Sequence, residues 1–183
     1  DHRRGHEEPH LLAGVVQLAL AVTGALAGDE ELAGGVEATR APRHEPRPLN
    51  GACHFIEHLL FKGTRRRSAR AIAEAVEGGG GSHDAYTQED LTCFFARVPA
   101  ARQHETLDIL LDMIAQPRLA AEDIERERQV IAEEMAMYRD QPAHRCEDLL
   151  LEALWPGHPL GRTIIGTEAS LARLDRPTIR RFW

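Results

Sequence analysis

His54-Phe55-Ile56-Glu57-His58 is the stretch whose reading decides how the chain is built. On an α-helix each residue advances about 100°, so with His54 at zero, His58 lies at about +40° and Glu57 at about −60°. Two imidazoles and a carboxylate then share one face, while Phe55, Ile56, Leu59 and Leu60 are free to pack. Two neutral imidazoles one turn apart suit a divalent metal, zinc first. A carboxylate beside them can take a proton from a water activated there. The order H-x-x-E-H inverts the commoner H-E-x-x-H arrangement. The chain holds ten histidines, so the pentad alone also fits two surface histidines on an amphipathic helix. A third ligand decides between the two, because a catalytic zinc takes three protein ligands and keeps one position open.

Residues Ile124 to Tyr138 carry the signal for that ligand. With Glu127 at zero on a helical wheel, Ile124, Val130, Ile131, Met135, Met137 and Tyr138 fall within about 80° of it, and Arg126, Arg128, Gln129, Glu133 and Arg139 fall opposite. Glu127 and Glu134, at about −20°, interrupt the apolar stripe. An unpaired buried carboxylate is costly, so something must hold both. Coordination of a metal is one answer, a hydrogen bond to the second nitrogen of a ligand histidine another, and a pair of buried Glu–Arg bridges a third. The wheel separates Glu134 from its neighbour Glu133, which points to solvent.

His54 to His58 and the following Leu59-Leu60-Phe61-Lys62-Gly63-Thr64 resemble the M16 (pitrilysin, insulinase, mitochondrial processing peptidase) family. So do Glu125-Arg126-Glu127-Arg128-Gln129-Val130-Ile131-Ala132-Glu133-Glu134, Asp84-Ala85-Tyr86-Thr87, and His158-Pro159-Leu160-Gly161-Arg162 with Ile165-Gly166-Thr167. The motifs occur in the family's order over about residues 43–183, most closely as in its bacterial and processing-peptidase branch. The resemblance implies a zinc-dependent endopeptidase domain holding one Zn2+. His54, His58 and Glu134 would be the ligands, Glu57 the general base and later the proton donor to the leaving amine, and Glu127 the partner of a ligand histidine. It also implies an α+β fold, a mixed, largely antiparallel sheet with helices packed on one face. Asp84, Ala85, Tyr86 and Thr87 would form the edge strand that receives an extended peptide substrate. The family usually has Asn at the position of Asp84, and an aspartate accepts hydrogen bonds without donating as an amide does. A second, similar domain or subunit is expected to close the site and to bring an Arg–Tyr pair to the substrate carbonyl. The main rival is a non-catalytic M16-like subunit or assembly scaffold. Such paralogues lose metal residues, and all four positions are intact here. A different metal-hydrolase chemistry on the same residues is a further alternative.

The remaining sequence bounds the picture. A chain of 183 residues with 43% hydrophobic and 28% charged residues is globular in composition. Its net charge of −7 argues against nucleic acid as a partner. Cys53, Cys93 and Cys146 are scattered and odd in number, which argues against a disulfide framework, and Cys53 is expected as a small buried residue. Residues 1–42 do not match the family. Within them His2, His6 and His10 lie in a polar terminus, and the uncharged run 11–28, near membrane-spanning length, reads as a core helix or strand pair from its Gly and Ala content. Only Arg43-His44-Glu45 resembles the turn that follows the family's first strands. A proline-rich loop leads to the metal helix, with Asn50 as its candidate cap. Lys62 and Arg65 to Arg67 read as a solvated turn, Ser68 caps a helix over 68–77 ended by Gly78 to Gly81, and residues 82–98 read as two strands joined at Gln88-Glu89-Asp90, with His83 as a surface strand residue. Pro99 is expected to open a helix with Leu107, Leu110, Leu111 and Ile114 inward. Helices follow through Leu149, Leu150 and Leu154, over Thr167 to Leu174, and after Asp175. The pattern stops mid-element at Trp183, so the chain reads as part of a longer domain, with 43–183 as its M16-like portion.

Overall fold

The computed structural model describes residues 19–23, 31–38 and 41–183. Two strands precede the first helix, β1 (Ala19–Thr23) and β2 (Glu31–Ala38), and two follow the second, β3 (Ser82–Gln88) and β4 (Leu91–Pro99). They form one sheet in the order β1-β2-β4-β3, so β3 lies at an edge. The segment before residue 43 therefore contributes strands to this sheet. Of the run 11–28, residues 19–23 are strand. Its other residues, and the polar stretch with His2, His6 and His10, lie outside the described residues.

Among the described residues every strand pairing is antiparallel, which corrects the expected mixed sheet. β3 and β4 reverse through the two-residue turn Glu89-Asp90, and β4 returns beside β2 in register Gly35↔Phe95, so no pair runs the same way. Alternation along β4 then sorts its side chains. Thr92, Phe94, Ala96 and Val98 are buried, while Leu91, Cys93, Phe95 and Arg97 face the open side.

The helices pack on the buried face. α1 (Ala52–Leu60) buries Phe55, Ile56, Leu59 and Leu60 and lies at the centre of the core. α2 (Ala69–Val76) starts where the Ser68 hydroxyl accepts the Ala71 N–H, and adds Ile72 and Val76. Pro99 ends β4 and does not open a helix. A 3-10 turn over Ala100–Arg102 intervenes before α3 (Gln103–Ala115). The buried stripe of α3 runs through Thr106, Ile109, Leu110, Met113 and Ile114, so Leu110 and Ile114 are inward as expected while Leu107 and Leu111 lie at the margin of the core. α3 also buries Asp112, whose Oδ2 accepts from the Thr64 hydroxyl at 2.8 Å and from Arg67 Nη1 at 2.6 Å. The basic turn after α1 is thus tied inward through Arg67.

α4 (Ala121–Arg139) buries Ile124, Glu127, Ile131 and Met135. Val130 and Met137, expected inward, are exposed, so the buried stripe is narrower than the apolar pattern. α5 (Pro142–Leu154) buries none of its residues and leaves Leu149, Leu150 and Leu154 exposed. α6 (Glu168–Leu171) opens with a Thr167–Ser170 capping box, and α7 (Arg176–Phe182) opens with Asp175 Oδ1 accepting the Thr178 N–H. None of the three cysteines forms a disulfide, and Cys53 is buried. No helix among the described residues is long and apolar enough to cross a membrane.

Candidate metal centre

The geometry at α1 begins at its N-terminus. The first amides of a helix lack intrahelical partners. Asn50 does not cap them. Its side-chain amide donates instead to Glu45 Oε2 at 3.1 Å and to the Thr163 carbonyl at 3.0 Å. Glu45, buried beneath the loop, caps the helix. Its Oε2 accepts the Gly51 N–H and its Oε1 the Cys53 N–H, both at 2.7 Å. Burial pushes the Glu45 carboxyl above its ordinary range, and the bonds from Cys53, Asn50 and Gly51 pull it back. Gly51 takes φ +91°, and a Cβ there would stand 2.6 Å from the Ile165 carbonyl oxygen, so the loop 162–166 lies directly on the start of α1.

So anchored, α1 presents His54, Glu57 and His58 to a cleft of about 800 Å³. α4 crosses it and brings Glu134 to the same point. Glu134 Oε2 lies 3.8 Å from His54 Nε2 and 3.7 Å from His58 Nε2, and one ligand atom from each of the three residues lies within 4.8 Å of the others. These separations are too long for hydrogen bonds. They approach the spacing of about 3.3 Å between donor atoms around a tetrahedral ion with bonds of about 2 Å. Glu133 is exposed, as the helical wheel requires.

The charge states fit a cation. Burial, with His58 beside it, pushes the His54 imidazole down to about 4, against a smaller upward pull from Glu134. His54 is thus neutral near pH 7 and able to ligate. His58 Nδ1 faces Glu127 Oε2 at 3.2 Å. With its proton on Nδ1, the lone pair of Nε2 faces Glu134 and His54. Glu127 is buried, and its other oxygen pairs with Lys62 Nζ at 2.8 Å. Lys62 therefore leaves the solvated turn expected of it. Its spacing of four residues from His58 is the signal that places it on the same side of the helix end.

Glu57 points to the same cleft. Its Oε2 accepts the Thr87 hydroxyl at 2.5 Å, and Thr87 Oγ1 lies 3.1 Å from Thr92 Oγ1. Burial raises the Glu57 carboxyl above its ordinary range, while Thr87 and His58 lower it and Asp84 and Glu134 raise it further. The Thr87 side chain thus serves the carboxylate, although its backbone lies on the edge strand with Asp84, Ala85 and Tyr86. Period-two alternation was the available signal, since it turns Ala85 and Thr87 inward together. Asp84 and Tyr86 face outward, and Asp84 Oδ1 accepts the Ala85 N–H. His83 departs from its expected surface position. Its side chain is almost wholly buried and its ring lies 5.5 Å from that of Phe61.

Comparison with known proteins identifies the family of the chain. The family model described as insulinase (peptidase family M16) matches residues 42–168. The zinc protease YmxG of Bacillus subtilis is 38% identical over 148 residues, covering 81% of this chain and 36% of the relative. The zinc protease SCO5738 of Streptomyces coelicolor is 39% identical over 149 residues, covering 81% and 32%. The chain spans about a third of the length of the curated relatives it matches. Among solved structures, a protease from Helicobacter pylori superposes with a TM-score of 0.78 at 25% identity, over 83% of this chain and 37% of that one. With a family model matched from residue 42 to residue 168 and that fold shared, the chain belongs to the insulinase (M16) peptidase family.

Proposed function

We propose that this chain is the metal-bearing part of a zinc-dependent endopeptidase acting on extended or unfolded peptides. The observation that carries the reading is the convergence of His54, His58 and Glu134 from two helices, with Glu57 on the same face of α1. His54, His58 and Glu134 would hold a zinc ion, which would supply Lewis acidity to the scissile carbonyl and to the attacking water. Glu57 accepts the proton of the attacking water and returns it to the leaving amine. Its raised pKa suits both halves of that task, because an acid–base group works best with a pKa near the working pH. Thr87 holds the carboxylate in place. Glu127 fixes the tautomer of His58, and Lys62 holds Glu127 in turn.

The substrate adds along β3. The free edge of the sheet offers backbone N–H and C=O groups to an extended peptide, and the outward side chains Asp84 and Tyr86 flank it. A second M16-like domain or subunit would complete the cleft.

Two variants test the reading. Glu134→Ala should abolish stoichiometric zinc binding by the purified chain, measured as metal content after dialysis. In a chain assembled with its second domain, Glu57→Gln should retain one zinc and lose peptide turnover by about 10²–10⁴-fold. A non-catalytic scaffold would be indifferent to Glu57→Gln, and equal turnover in the parent and this variant would overturn the assignment.

A further inference from the structure

The two oxygens of Glu134 have different partners. Oε2 faces the Nε2 atoms of His54 and His58, at 3.8 and 3.7 Å. Oε1 accepts a hydrogen bond from the Tyr138 hydroxyl at 2.9 Å. Tyr138 stands one helical turn beyond Glu134, on the side of α4 that faces the cleft. Its ring is held from a different element, since the His144 ring of α5 packs against it with centroids 4.8 Å apart at a tilt of 43°. Glu134 is only half-buried, and the Tyr138 hydroxyl is the partner of its far oxygen.

We infer that Tyr138 is a positioning residue for the third metal ligand. By occupying Oε1 it presents Oε2 alone to the two imidazoles, so that Glu134 contributes one donor atom. A carboxylate that turned both oxygens inward would take up the position a catalytic site must leave open. The phenol thus does for the glutamate what Glu127 does for His58, and the contact between His144 and Tyr138 makes the orientation of Glu134 depend on how α5 lies against α4. This inference rests on the metal site proposed above.

Tyr138→Phe removes one oxygen and keeps the ring. Zinc affinity, measured by competition with a chromogenic chelator, should fall about 10–100-fold, the range seen when a group that orients a ligand is lost. Cobalt(II) bound to the variant should show visible absorption bands altered from those of cobalt in the parent, a signature that a change in fold stability alone does not move. In a Glu134→Ala background, Tyr138→Phe should cause no further loss. Affinity within twofold of the parent, superimposable cobalt spectra, or an equal loss in both backgrounds would each overturn the inference. If Tyr138→Phe does not fold, His144→Ala at an exposed position should give a smaller loss of affinity in the same direction, and an unchanged affinity there overturns it. A parent chain that binds no zinc overturns the metal reading itself, whereas a parent that binds zinc beside an unaffected variant sinks only the role of Tyr138.

Discussion

The surroundings of His54 hold its imidazole neutral near pH 7 without help from a metal. Its Nδ1 is buried and has no hydrogen-bond partner among the described residues, and burial with the neighbouring His58 depresses its pKa from 6.5 to about 4. The sign of the consequence is fixed by linkage. Between these two values the unfolded chain takes up a proton that the folded chain refuses. The metal-free protein should therefore keep the stability associated with neutral His54 above about pH 6.5 and lose it progressively as the pH falls to about 4. Urea midpoints of the chelator-treated chain across that window check this, with His54→Gln expected to remove most of the slope. An unchanged slope in His54→Gln would show that other groups carry it. At this scale the pentad was legible because a helix imposes its own spacing, which places His54, Glu57 and His58 together whatever surrounds them. Glu134 was separable from Glu133 for the same reason. Thr87, Lys62 and Tyr138 were named in the sequence but not as partners of these groups. Thr87 reaches Glu57 from a different element, and the roles of the other two depend on which face of their helix meets α1 or the cleft.

Elements are joined here by contacts that local pattern does not announce. The start of α1 shows this most clearly. An asparagine at position 50 satisfies every local rule for a cap, yet the glutamate five residues earlier takes the amides, because the 3-10 turns at Pro42–His44 and Arg47–Leu49 fold it beneath the helix. Glu45→Ala should leave the amides of Gly51 and Cys53 and the Asn50 side chain without that partner. Leaving buried donors unsatisfied costs about 1–3 kcal/mol, and a lost cap falls in a similar range, so a loss of about 2 kcal/mol is expected in urea unfolding. Glu45→Gln should recover little of it, since its NH₂ would meet a donor. A loss below about 0.5 kcal/mol for Glu45→Ala would mean that water replaces the carboxylate and that the cap is dispensable. The helices α3 and α4 were legible as helices, but their buried stripes turned from the expected ones. α3 buries Thr106, Ile109 and Met113 as well as Leu110 and Ile114, and α4 meets the core with only part of its apolar arc, leaving Val130 and Met137 outside. The hairpin of β3 and β4 was legible almost to the residue because its turn and its alternation are both local.

At the scale of the whole molecule, the candidate ligand set of His54, His58 and Glu134 is gathered in a cleft that is open on one side. The cleft of about 800 Å³ is bounded by α1 and β3, by α4 and α5, and by the loop before α6. α5 turns Asp148 and Leu151 toward the cleft and leaves Leu149, Leu150 and Leu154 exposed on its outer side. The apolar spacing of α5 gave the helix but not its setting, because periodicity reveals which residues share a face and not what lies against it. This chain matches about a third of the length of its curated relatives, and the proposed reading expects a second domain to complete the cleft around the substrate carbonyl. Binding of metal and catalysis should therefore separate. The proposed zinc ligands, His54, His58 and Glu134, and the groups that would orient them all lie on α1 and α4 and at the end of α1, so the chain alone should take up one zinc. Charge developing on the carbonyl oxygen needs donors placed in advance, and loss of one such donor typically lowers turnover by about 10²–10³-fold. Peptide hydrolysis by this chain should accordingly be at least about 10²-fold slower than by a polypeptide that also carries the second domain, at equal zinc occupancy. Turnover of a fluorogenic unstructured peptide, normalised to bound zinc, measures this directly. Equal rates would place the whole of the carbonyl's stabilisation within these helices and this strand, and would remove the need for a closing domain.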